Sequence, residues 1–79
     1  MSEQVKAVNR FYKTALRKEV EKIDAEIVLT DRQREIYRMY YLEHKDAGLI
    51  ADTIGRSYSI VRNELRAIRR KLVRIILDD

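Results

Sequence analysis

Ile50-Ala51-Asp52-Thr53-Ile54-Gly55-Arg56-Ser57-Tyr58-Ser59-Ile60-Val61 is the stretch on which the fold turns. Two short helices that cross closely need a small residue where the second lies over the first, and Ala51 supplies it. The corner between them needs a residue that accepts positive φ, and Gly55 does so without steric penalty. The second helix needs a branched apolar anchor to plug the crossing, the role of Val61, while Ile50 and Ile54 face the core from the first. Asp46 can cap the first helix, Ala47 to Ile54, and Gly55 provides the left-handed residue that commonly ends one. Ser57 or Ser59 can cap the second, which runs to about Leu77. Its stripe at Val61, Leu65, Ile68, Leu72 and Ile75 or Ile76 steps by four and three, close to a heptad seam.

Upstream, Thr30-Asp31-Arg32-Gln33 has the form of a capping box, with Asp31 suited to the positive helix end. The helix it opens is expected to reach about Glu43 and to bury Ile36, Met39, Tyr40 and Leu42. Tyr37, Tyr40 and Tyr41 make an aromatic patch on it, read as half-buried core with wet hydroxyls. His44-Lys45 reads as the break that follows. Before Thr30, no Gly or Pro interrupts the chain from Glu3 to Val28, and apolar residues recur at Val5, Val8, Tyr12, Leu16, Val20, Ile23 and Ile27. Those steps predict one long amphipathic helix. With no repeat or linker, residues 1–79 read as a single four-helix domain of the all-α class. Its parts are an N-terminal helix over 1–28 and a helix-turn-helix unit over 29–79.

The composition agrees with helix: 46% hydrophobic and 38% charged residues, two glycines and no proline among 79 residues. No cysteine is present and His44 is the one histidine, which removes disulfide frameworks and the common metal constellations. No apolar run approaches the ~20 residues that a membrane span needs. No nucleophile–base pairing is visible, so the chain is expected to be no enzyme and to hold no cofactor or metal. The charge is unevenly placed. Residues 56–74 carry Arg56, Arg62, Arg66, Arg69, Arg70, Lys71 and Arg74 against one acid, Glu64, a local +6 within a chain of net +4. A basic stripe on one helix is the footprint of a phosphate-backbone binder, although charge alone does not separate this from a solvated face.

A longer stretch carries a family resemblance. Leu29-Thr-Asp-Arg-Gln-Arg-Glu-Ile-Tyr-Arg-Met-Tyr-Tyr-Leu-Glu43 is followed by Asp46 and Ile50-Ala51-Asp52-Thr53-Ile54-Gly55. Arg56-Ser57, Val61, Leu65 and Arg69-Arg70-Lys71-Leu72 complete it. From Leu29 to Leu72, without a gap, this resembles region four of bacterial sigma factors. The departures are Lys45 and Arg56 where that family prefers apolar residues, His44 in place of its glycine, and Gly48 inside the first helix of the motif. Nothing in the chain resembles the sigma segments that bind the −10 element. Small phage-encoded late-gene activators of the ArpU/RinA type are similar in carrying a sigma-like helix-turn-helix on a short chain.

The resemblance implies a phage or prophage regulator in the bacterial cytoplasm that binds double-stranded DNA at promoters and meets RNA polymerase. On the last helix, Tyr58, Ser59, Arg62, Asn63 and Arg66 are the candidates for reading bases: the arginines guanine, Asn63 adenine. Lys45, Arg56, Ser57, Arg69, Arg70 and Arg74 are the candidates for phosphate. Ala51, Gly55 and Val61 hold the motif together. The N-terminal helix exceeds what a sigma-like unit needs. It is expected to pack on the end of the last helix, within one chain or across a homodimer that would present two recognition helices to two half-sites. The rival reading is a module that binds RNA polymerase or a sigma factor without DNA specificity of its own; a phage DNA-packaging subunit is a third.

Overall fold

The computed structural model describes residues 3–77, and the fold is all-α. Among these residues five α-helices follow one another: α1 (Glu3–Thr14), α2 (Arg17–Glu26), α3 (Asp31–Tyr37), α4 (Ala47–Ile54) and α5 (Tyr58–Leu77), with a π-helical turn, Arg38–Leu42, continuing α3. None is long and apolar enough to cross a membrane. The backbone groups into two compact units, residues 29–68 and residues 1–28 with 69–79, so that α5 contributes its first half to one and its second half to the other.

The unit of residues 29–68 begins at the capping box. Thr30 Oγ1 accepts from the Gln33 amide at 3.1 Å and Gln33 Oε1 accepts from the Thr30 amide at 3.1 Å, satisfying two donors at the start of α3. α3 then widens: Glu43 N donates to Arg38 O, five residues back, in place of the usual four. The wider turn advances each side chain through a smaller angle, and beyond Arg38 the buried set changes with it. Ile36 and Met39 are buried as expected, but Tyr37 and Tyr41 take the inner positions, Tyr40 is half-buried and Leu42 is exposed. The rings of Tyr40 and Tyr41 meet edge-on, with centroids 4.9 Å apart. The turn closes through His44, which adopts φ 58° where the chain needs a left-handed residue.

α4 starts at Asp46, whose carboxylate accepts from Leu49 N at 2.9 Å, and stops at Gly55 in the left-handed region (φ 67°, ψ 36°). Arg56 N then donates to Ala51 O at 3.0 Å, the bond that closes a Schellman turn. Ser57, rather than Ser59, caps α5, its Oγ accepting from Ile60 N at 3.2 Å. Ile50, Ala51 and Val61 are buried as the crossing requires; Ile54 is only half-buried. Along α5, Val61, Leu65, Ile68 and Leu72 lose all contact with solvent. Each such side chain is worth about 1.5–3 kcal/mol in burial, which is what orients the helix.

In the unit of residues 1–28 and 69–79, the expected long N-terminal helix is two helices. α1 ends at Thr14, whose hydroxyl donates to the Arg10 carbonyl at 3.1 Å. Leu16 takes an extended conformation and becomes the N-cap of α2. It has no acceptor of its own, and Glu19 satisfies its amide from the other side at 2.8 Å. A straight helix over residues 3–28 would measure ~39 Å, whereas Arg69–Leu77 of α5 offers only ~14 Å of surface. Two shorter helices can each set an apolar face inward in the same unit, and Val8, Ile23, Ile27 and Leu72 are its buried residues. The break leaves Leu16, expected in the stripe, 63% exposed. Lys71 Nζ donates to the Val28 carbonyl at 2.6 Å, tying the second residue after α2 to α5.

Candidate nucleic-acid interface

The face of α5 opposite its buried stripe is set by helical geometry. At about 100° per residue, Ser59, Asn63 and Arg66 fall on the side away from Val61, Leu65 and Ile68 in one unit, and Arg70 and Arg74 on the side away from Leu72 in the other. All five are exposed, as is Tyr58 at 56%. Arg62 lies on the flank and is half-buried. From Ser59 to Arg66 the helix rises ~10 Å, comparable to the ~12 Å width of a major groove. The five candidates for base reading thus sit on about the first two and a half turns of α5, the end from which a recognition helix contacts base edges.

Glu64, the one acid among the seven cations, is turned away from that face. Its Oε1 accepts from Gln33 Nε2 at 3.3 Å and its Oε2 lies 3.9 Å from Arg32 Nη1. Its side chain keeps 22% of its exposure. The negative charge is matched by an arginine on α3, and the outward face retains cations and neutral polar groups. Sequence reasoning assigned no role to Gln33, Arg32 or Glu64 at the site. The only signal for Glu64 is its flank position next to Leu65, and nothing in the capping box announces that the amide of Gln33 also reaches α5.

The remaining candidates divide by what already holds them. Arg56, Arg70 and Arg74 are exposed. Ser57 is exposed too, but its hydroxyl is occupied as the acceptor of the α5 cap. Arg69 is half-buried, with an enclosed Nε that has no hydrogen-bond partner, so it is less freely presented than its neighbours. Lys45 is paired with Glu43 at 3.0 Å, and Glu43 also accepts from Arg38. The hydrogen bond from Lys45, then the neighbouring Arg38, holds the Glu43 carboxyl below the usual glutamate range. The Lys45 pair spans the left-handed His44.

Within the base-reading group, Arg66 Nη1 donates to Asn63 Oδ1 at 3.1 Å. The two side chains are one turn apart on the exposed face, so this bond is made before any ligand arrives. Set against protein-family models, curated proteins and solved structures, the chain matches none of them.

Proposed function

We propose that this chain is a DNA-binding transcriptional regulator of the sigma region-four-like helix-turn-helix kind. In this reading the first turns of α5 enter the major groove of a promoter-like site. Tyr58, Ser59, Arg62, Asn63 and Arg66 meet base edges, while Arg56, Arg70 and Arg74, with Lys45, Ser57 and Arg69, supply phosphate contacts. The observation that carries it is the inward turn of Glu64 onto Gln33 and Arg32. A merely solvated face has no need to withdraw its single acid, whereas a polyanion is repelled by any carboxylate on the helix that meets it. Most of the affinity is electrostatic, and the bases select among sites.

Regulation through RNA polymerase and a phage or prophage origin follow from the resemblance of Leu29 to Leu72 to sigma region four. A homodimer, with two recognition helices about one turn of DNA apart, fits the same scheme. The test is an anisotropy titration of duplex DNA at two salt concentrations. A steep fall in affinity with salt supports the proposal. Absence of binding at low salt, with capture of polymerase by the same protein, replaces it with the polymerase-binding module. Sedimentation showing a strict monomer at tens of micromolar removes the dimer.

A further inference from the structure

We infer that Asn63 and Arg66 act as one donor-only reading unit that selects guanine and rejects adenine. The inference rests on the DNA-binding reading above and goes further by assigning the base. A guanidinium has hydrogen-bond donors and no acceptor. Its contact with the Asn63 side chain therefore fixes which way round the amide sits: Oδ1 faces Arg66 Nη1 at 3.1 Å, and the NH₂ group points away.

An asparagine that reads adenine alone must accept from N6 through Oδ1 while donating to N7 through Nδ2. Here Oδ1 already accepts from Arg66, and the cation beside its second lone pair disfavours the approach of another donor such as the adenine N6 amino group. What the pair offers outward is the rest of the Arg66 fork and the Asn63 NH₂ group, all donors. Among the major-groove edges, guanine presents two acceptors, O6 and N7, whereas adenine and cytosine each present an amino donor. Asn63 is thus a positioning residue for Arg66: it holds the fork in place and lowers the freedom lost when guanine is bound. This replaces the expectation that Asn63 reads adenine.

The experiment is a selection of bound duplexes from a random library. It is followed by anisotropy titrations of the selected site and its single guanine-to-adenine changes, using the full chain, Asn63→Ala, Arg66→Ala, Arg66→Lys and the double alanine variant. The wild type is expected to select a guanine whose change to adenine weakens binding about 10- to 100-fold. Asn63→Ala should reduce that discrimination several-fold at the same base pair, and the double variant should be no worse than Arg66→Ala. Arg66→Lys should lose the guanine preference while keeping the salt slope, since it keeps the charge without the fork. Both side chains are exposed, and alanine favours helix, so thermal melts should confirm that the variants fold. The inference is overturned if Asn63→Ala erases a preference for adenine at a separate base pair, with losses that add to those of Arg66→Ala. Salt-dependent binding by the wild type with no guanine selected also overturns it while leaving DNA binding intact. No binding by the wild type at low salt removes the DNA reading itself.

Discussion

Gln33 Nε2 donates to Glu64 Oε1 at 3.3 Å, thirty-one positions along the chain, while the same amide's Oε1 accepts from Thr30 N. One side chain, 8% exposed, therefore caps α3 and fastens the inner flank of α5. The cap belongs to local helix chemistry, and the second bond sets what the outer face of α5 presents.

Gln33→Glu separates these two duties. A glutamate can still accept from Thr30 N, but its second oxygen would face the Glu64 carboxylate with no proton between them. The variant should lose about 1–3 kcal/mol at neutral pH in urea denaturation. Mutual repulsion raises the folded-state pKa of the pair above the unfolded value, so stability should be regained as pH falls through the ordinary carboxylate range and into acid. Equal deficits at pH 7 and pH 4 would show that the two carboxylates do not meet.

Among the described residues, His44 and Gly55 hold the two left-handed positions, at φ 58° and 67°. A residue with a Cβ is strained there by about 1–2 kcal/mol. His44→Gly should therefore stabilise the protein by about 0.5–1 kcal/mol after the larger entropy of an unfolded glycine is offset. Gly55→Ala should destabilise it by about 1–2 kcal/mol through the backbone alone, because a Cβ at that position meets nothing within 4 Å. Chemical denaturation of the two variants should give shifts of opposite sign.

Leu16 is an N-cap without an acceptor and stands 63% exposed. Leu16→Ser supplies the missing half of the capping box already begun by Glu19. Little apolar burial is lost, so a gain of about 0.5–1.5 kcal/mol is expected. A loss in thermal melting would mean that α1 and α2 are joined as one helix in solution.

Arg74 and Arg62 should behave differently on DNA. Arg74→Ala should weaken all sequences alike and reduce the salt slope by about 0.9, the value of one phosphate contact. Arg62→Ala should cost about 1–3 kcal/mol on the selected site and relax the choice at one base pair. Arg69→Ala, with its Nε already enclosed, should change the slope less than Arg70→Ala does. Anisotropy over a salt series decides these cases, and identical losses for Arg62→Ala on specific and random duplexes would sink its assignment.

Glu43 carries a pH signature. Its folded-state pKa is lowered, first by the Lys45 hydrogen bond. What its pairs contribute is therefore complete above the ordinary value of 4.5 and is lost as pH falls through the lowered folded value. An NMR titration of the Glu43 side chain should show a midpoint below 4.5, and Lys45→Ala should move it upward. Glu43→Gln should also free Lys45 and raise affinity for random duplex.

The sequence by itself determined several features that depend on neighbouring residues. The capping box at Thr30, the Asp46 cap, the stop at Gly55 and the buried stripe of α5 were all legible, because each is closed within one or two turns of helix. So was the all-α class. Two elements were misread where a longer-range effect outweighed the local pattern. An unbroken apolar stripe over residues 3–28 is compatible with one helix or with two, and the chain takes the broken form, with Leu16 extended between α1 and α2. Helical spacing likewise chose Tyr40 and Leu42 for the core; Tyr37 is buried within regular α3, and beyond it the π-helical turn puts Tyr41 inward and leaves Leu42 exposed.

What only the tertiary structure decided is the character of the basic face. Composition put seven cations and one acid on a single stretch, but the sign of a surface is set by where each charge points. Glu64 turns inward because Gln33 and Arg32, on α3, stand where its carboxylate can be hydrogen-bonded and paired. That meeting spans some thirty residues of chain. A carboxylate finds such partners only once the apolar burial of Val61 and Leu65 has brought α5 to its place, so residues 56–74 by themselves show its flank position beside Leu65 but not the groups that hold it.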